Sequence, residues 1–344
     1  MRRFGGAAVV SALALAGAAP GWAQDVTRDG RNFDFKLDGF FIGGVGYVDT
    51  DDDRDDVGVI RDAEVIVHFE TVAENGLTFG AETQFEMGDE ASAFVDENFL
   101  YIRGEFGAFE FGEQDGAKDA YHATGLVSGP FANAQDETGF LFDYYQDDTG
   151  VALTGYGDDT GDALKINFFT PSIAGLSAGL SYVPEPGAEK GNAVSRSGQT
   201  NALELGVGYE SEIGGIAFAI GGGWASDTDP AADGDESWGG GARIGHGGLA
   251  LGLQYGFEEL AGDEQSVGGG VSYTAGPWSV GADFATVVDG EETEGDYGVS
   301  FGYSYSVAPG VDVGGTVEYA HDEDDGAGGA RESLAVGLMS AFSF

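Results

Sequence analysis

The chain has no cysteine and only four histidines, and it carries 14 Lys and Arg against 60 Asp and Glu. Without cysteine there are no disulfides, so stability must come from backbone pairing and packing. The scarcity of cations excludes a nucleic-acid binder, which needs a basic surface to meet phosphates. His68, His122, His246 and His321 form no metal-binding pair at helical spacing. No local motif assembles a Ser-His-Asp arrangement, and no glycine cluster has the setting of a phosphate cradle. These absences argue against an enzyme. Beyond the first residues no run of about 20 apolar side chains occurs, which excludes a helical membrane protein.

That opening segment has the form of an export signal. Arg2 and Arg3 precede an apolar stretch over Ala7–Ala19, and small residues at Gly21 and Ala23 predict cleavage after Ala23, with residues 24–344 as the mature domain. The remainder carries a formal charge of −48, from 12 basic and 60 acidic residues. Such acidity usually accompanies disorder. Here 24 Phe, 14 Tyr and 62 Gly are laid out periodically, which argues for a folded β structure.

The period is two. Phe33, Phe35 and Leu37 alternate with Asp34, Lys36 and Asp38; Val65, Val67 and Phe69 alternate with Glu64, His68 and Glu70. Leu249, Leu251, Leu253, Tyr255 and Phe257 alternate with small or polar residues, as do Tyr297, Val299, Phe301, Tyr303 and Tyr305. One face of each strand therefore meets an apolar phase and the other meets water. The connections alternate as well. Short ones rich in Gly, Asn and Pro (such as Glu74–Gly76, Gly104–Gly107, Gly245–Gly248 and Val307–Gly310) are interleaved with longer acidic ones (Asp49–Asp56, Gly88–Asp96, Glu113–Asp162, Pro184–Gln199, Ala225–Gly234, Glu258–Glu264, Asp289–Gly295 and Asp322–Ala330). Seven short turns between eight long loops predict about sixteen strands in an all-β, antiparallel transmembrane barrel. A soluble sandwich would alternate similarly, but it would need core-sized residues where this chain puts Gly and Ser. Tyr47, Tyr209, Trp224, Tyr255, Tyr273, Trp278, Tyr305 and Tyr319 lie near strand ends and suit two interfacial girdles.

The stretch Glu97–Arg103, the turn Gly104–Gly107, the return Ala108–Asp115 and the long segment that follows resemble the general porins of Gram-negative outer membranes, of the alphaproteobacterial type. The resemblance implies that these are the fourth and fifth barrel strands, and that Glu113–Asp162 is an inward-folded third external loop constricting the lumen. It implies an acidic constriction at Glu113, Asp115, Asp119, Asp136, Glu137, Asp143, Asp147 and Asp148, facing a basic wall. Parity nominates Lys36 and Lys165 for that wall. Arg61 shares the parity of Val65 and Val67, and Arg103 lies against a turn, so both depart from the family's arginine cluster. Glu113 departs too, standing where relatives carry arginine. A more uniformly acidic pore is expected. The last strand places Leu334, Val336, Leu338, Phe342 and Phe344 on one face, and the resemblance implies that the terminal aromatic is read by the outer-membrane assembly machinery.

The expected function is passive diffusion of ions and small hydrophilic solutes through a cation-selective, water-filled channel. The alternatives are a substrate-specific channel and a structural or adhesin barrel with a closed lumen. A homotrimer is implied by the resemblance, with contacts around Phe40–Ile42 and Phe99–Ile102. The surrounding lipid and lipopolysaccharide are the other expected partners. No cofactor is expected, apart from loosely held Ca²⁺ at the acidic runs Asp49–Asp56 and His321–Asp325.

Overall fold

The computed structural model describes residues 24–28, 31–50, 54–87, 95–132, 134, 160–186, 201–227, 236–259, 263–290, 294–323 and 330–344. A short strand β1 (Gln24–Arg28) precedes sixteen that close on themselves. These are β2 (Arg31–Thr50), β3 (Arg54–Val72), β4 (Thr78–Glu86), β5 (Asn98–Gly104), β6 (Gly107–Glu113), β7 (Leu164–Phe169), β8 (Leu176–Val183) and β9 (Ala202–Ile213), then β10 (Ile216–Asp227), β11 (Glu236–His246), β12 (Leu249–Glu258), β13 (Glu264–Ala275), β14 (Trp278–Asp289), β15 (Tyr297–Ala308), β16 (Val311–Asp322) and β17 (Arg331–Ser343). Each pairs antiparallel with the next, and β17 pairs with β2 from Ser333↔Thr50 to Ser343↔Phe40. The closed ring leaves no edge strand in lipid, where an unpaired backbone group costs several kcal/mol.

The residues just after the expected cleavage point form a strand, Gln24–Arg28 pairing against Arg31–Phe35. The acidic run Asp49–Asp56 is mostly ladder rather than loop, since Asp49 pairs with Asp55 and Thr50 with Arg54. Short connections close with the expected chemistry. Gly214-Gly215 and Gly247-Gly248 hold consecutive positive φ angles (62° and 80°; 59° and 87°), the backbone of a two-residue hairpin turn.

Side-chain alternation sets the two faces. Leu205, Val207, Leu251, Leu253, Val299 and Phe301 are exposed on the outer face, while Glu204, Gly206, Gly252, Gln254, Ser300 and Gly302 are buried on the inner one. All eight girdle aromatics take the outer parity; Trp278 packs on Tyr305 near the short-turn end (4.7 Å) and Tyr255 on Trp238 near the long-loop end (5.1 Å). The early strands blur this pattern for a structural reason: Ile42, Phe99 and Tyr101 are buried and point inward, while Phe41 and Leu100 point outward.

The C-terminus is fastened to β2. Phe344 N donates to Gly39 O (3.1 Å), Gly39 N donates back to Phe344 O (3.2 Å), and the Phe344 ring stacks on Phe41. Phe342 shares its outward face.

Candidate functional site

The long segment after β6 enters the barrel. Its outgoing limb, 114–134, contains a single helical turn, α1 (Asp119–His122), and a 3₁₀ turn (Ala123–Gly125). The limb begins beside β7, where Asn167 Nδ2 donates to Asp115 O (2.8 Å), and Ala117 N donates to Ser181 Oγ on β8 (2.7 Å). It ends at β14, where Ala134 N donates to Asp283 Oδ2 (2.6 Å), and Phe131 lies close to Gly314 on β16. Between these points it lies flat against the inner wall.

What allows that close approach is a row of glycines. Gly179, Gly206, Gly208, Gly221, Gly223, Gly241, Gly252, Gly270, Gly281, Gly302 and Gly314 occupy nine consecutive strands, β8–β16, all at inward parity. At the first ten of these, a Cβ would fall within 3.0 Å of a limb atom, and at Gly314 it would meet the Phe131 ring at 3.0 Å. Several of the limb atoms are carbonyl oxygens (Ala117, Lys118, Gly125, Val127, Pro130) that face glycine Cα–H groups, a weak but recurring attraction.

Glu204 on β9 joins the two limbs of the loop. Its carboxylate, 2% exposed, accepts from Lys118 N (3.1 Å) and from the Thr160 hydroxyl on the returning limb. Lys165 Nζ on β7 lies 4.0 Å from the same carboxylate and donates to Thr160 Oγ1 (2.8 Å) and Gly161 O (2.6 Å). Lys118 Nζ donates to Ser237 Oγ on β11 (2.5 Å). Lys165 thus faces inward as parity requires, but its charge is spent on the returning limb rather than displayed to the pore.

The opposite wall is charged. On β2–β6 the inward faces carry Lys36 paired with Asp38 (2.5 Å), and His68 between Asp38 (3.2 Å) and Glu82 (3.0 Å). Tyr101 donates to Glu70 (3.0 Å), while Arg103 pairs with Glu110 (3.2 Å) and stacks 3.9 Å from the Tyr101 ring centroid. Arg103 was undervalued by sequence reasoning, because its place beside the Gly104–Gly107 turn hid its inward parity. Arg61 takes the outward parity of Val57 and Val59.

Among the expected constriction acids, Asp115 and Asp119 lie on the inward limb, Asp119 3.5 Å from His122 Nδ1. Glu113 does not join them: it pairs with Leu164 and continues the outward parity of Phe109 and Phe111. Asp136, Glu137, Asp143, Asp147 and Asp148 lie outside the described residues. A cluster the sequence did not reveal forms where the limbs leave the wall. Glu97, Asp115 and Asp162 bring carboxylate oxygens within 4.8 Å of one another, and Gln84 Nε2 donates to Glu97 (2.7 Å). Burial, then the charges of Asp115, Asp162 and Asp96, push the Glu97 carboxyl well above the usual range.

Three kinds of comparison bear on this architecture. The family model for Gram-negative porins matches residues 7–327. No curated protein matches the sequence significantly. Among solved structures, an anion-selective porin from Comamonas acidovorans superposes with a TM-score of 0.68 at 18% identity, over 91% of this chain and all of that one. A triple mutant of Rhodopseudomonas blastica porin gives 0.59 at 21%, over 90% and 100%, and OmpT of Vibrio cholerae, an outer membrane protein with loop L8 deleted, gives 0.61 at 16%, over 90% and 99%. At such identities the superpositions speak for the fold, a closed ring of sixteen antiparallel strands. Together with the match along nearly the whole sequence, they establish that the chain belongs to the Gram-negative porin family, as a transmembrane β-barrel of the outer membrane.

Proposed function

We propose that the barrel is a passive, water-filled pore for ions and small hydrophilic solutes, that it favours cations, and that it works as a homotrimer. The passive reading is supported by barrel size: sixteen strands leave an aqueous channel, whereas about eight fill with their own side chains. The charge balance of the lumen is the observation that carries the preference for cations. Among the described residues, Lys36 stands against Asp38, Arg103 against Glu110, Lys165 against Glu204 and Arg243 against Glu210, and Lys118 on the limb is buried against Ser237. Beyond these pairs, Asp62, Glu64, Glu86, Asp115 and Asp162 add carboxyls around the loop entrance, beside Glu97, whose own carboxyl is pushed up by burial and by its acidic neighbours. Acid-lined walls act on permeating ions at short range and attract cations.

The Comamonas relative is described as anion-selective, so the fold alone does not decide the sign. The lumen charge is what supports a cation preference here. Reconstitution in planar bilayers under a salt gradient is the test. A reversal potential favouring cations, weakening as the Debye length shrinks from ~10 Å at 0.1 M to ~3 Å at 1 M, is expected. An anion preference would refute the charge reading, and absence of conductance steps from folded protein would favour a closed barrel. Saturation of the current by one solute would favour a substrate-specific channel.

The trimer reading draws on the outward face of β2–β5. Val45, Val57, Val59 and Leu100 are 51%, 80%, 84% and 61% exposed in the single chain, with Arg61 among them, which suits a protein neighbour better than lipid. A monomer by light scattering in mild detergent would exclude it.

A further inference from the structure

Glycine inside a strand weakens it relative to alanine and is ordinarily kept for positive φ angles, bulges or close approaches. None of the inward glycines on β8–β16 has a positive φ, so the backbone conformation does not require them. Nor are these strands short of large residues. Gly252 stands between Leu251 and Leu253, and Gly302 between Phe301 and Tyr303, all pointing outward. Glycine recurs on the inner face along the path of the loop, and there the limb atoms occupy the space that a Cβ would take. The limb, in turn, is fixed at both ends by buried hydrogen bonds to Ser181, Glu204 and Asp283. Its distance from the wall is therefore set by the wall's side chains and not by slack in the loop.

We propose that this glycine row is the gauge of the pore: it fixes how far the constriction limb stands off the β8–β16 wall, and hence the cross-section left to solutes. The assignment rests on the channel reading above. It makes Gly252, Gly270 and Gly302 size-determining residues although none of them touches a solute. An added Cβ at Gly252 would meet Gly125 O, at Gly270 Val127 O, and at Gly302 Pro130 O. Restoring ordinary van der Waals contacts of about 3.5 Å would push the limb inward by about 1.5 Å. Charge would be untouched. Solute size and ion sign are then governed by different residues.

The experiment compares Gly252→Ala, Gly270→Ala and Gly302→Ala, singly and together, with Gly245→Ala. The last lies on the inward face of β11 but away from the limb, where a Cβ meets only Leu249 O at 3.5 Å. Single-channel conductance and the uptake of neutral sugars of graded size into proteoliposomes are measured. The triple variant should lose roughly a quarter to a half of the wild-type conductance, because conductance follows free cross-section, and should exclude a smaller sugar. The cation-to-anion permeability ratio should stay unchanged, and Gly245→Ala should match wild type. Wild-type conductance in the triple variant, or an equal loss in Gly245→Ala, would overturn the gauge. A wild-type protein that does not conduct would instead remove the channel reading itself.

If the alanine variants fail to fold, Ala132→Cys with Gly302→Cys decides whether the limb is seated. A Cβ at position 302 would lie 2.9 Å from Ala132 Cβ, and disulfides need about 3.5–4.5 Å, within reach of a small shift. The chain has no native cysteine, so oxidation should remove both thiols, whereas two persistent free thiols would overturn the seating.

Discussion

The two halves of the inner wall are built on opposite plans. From β8 to β16 the wall offers glycine, and the backbone of the loop limb lies flat on it. From β2 to β6 it offers Lys36, Asp38, His68, Glu82, Tyr101, Arg103 and Glu110, joined in ion pairs and hydrogen bonds across neighbouring strands. The first half is shaped to receive the loop. The second is left to face whatever passes. Opposite charges ordered along one wall fix side chains that would otherwise wander, while the glycine wall leaves nothing to wander. Exclusion by size and selection by charge therefore rest on different residues and can be altered apart.

The largest effect should come from breaking the link between the halves of the loop. Glu204→Ala takes the buried carboxylate away from the Lys118 amide and the Thr160 hydroxyl that donate to it and from the neighbouring Lys165 ammonium, a change that costs ~3–5 kcal/mol where an ion pair loses one partner. The barrel ladder is unaffected, so the cost falls on the seating of the loop. Open-channel noise and proteolytic nicking of the loop should both rise sharply; a quiet, resistant channel would contradict the role given to Glu204.

A smaller effect is expected from the limb acids. Asp115→Asn with Asp119→Asn should bring the reversal potential in a tenfold salt gradient substantially closer to zero, without closing the pore. An unchanged potential would show that charge on the limb is not what the ions sense. By contrast, replacing the acids at 51–53, between β2 and β3 in the sequence, should change the potential little at high salt, where charge acts over only a few ångströms.

The smallest and most specific effect concerns Glu97. A carboxyl raised by burial beside Asp115 and Asp162 stays protonated through neutral pH and ionises only as pH rises further. Glu97→Gln should therefore leave neutral-pH selectivity unchanged. It should also abolish the increase in cation preference expected of wild type on moving to strongly alkaline solution. A clear loss of selectivity at pH 7 would mean that Glu97 is already charged.

The ring itself was legible because period two is a local signal that survives in every strand, and because short and long connections alternate in length. Phe99 and Tyr101, expected among the subunit contacts, instead lie where β5 turns aromatic rings inward, one of them onto Arg103 and Glu70. The seat of the loop was hidden for a different reason. The glycines read as weak strand positions one by one, and only the closed ring lines them up beneath a single limb. Glu204, Lys118 and Thr160 were missed because they are separated by up to 86 residues and meet only after closure. Lys165 was placed on the correct face, but parity alone does not say what a side chain binds.

The most direct test of the account is the reversal potential of the purified wild-type protein in a planar bilayer with a tenfold KCl gradient at neutral pH. The account predicts a potential displaced toward that of potassium, shrinking when the same gradient is set at higher salt. A potential displaced toward chloride, or one that ignores ionic strength, would contradict it.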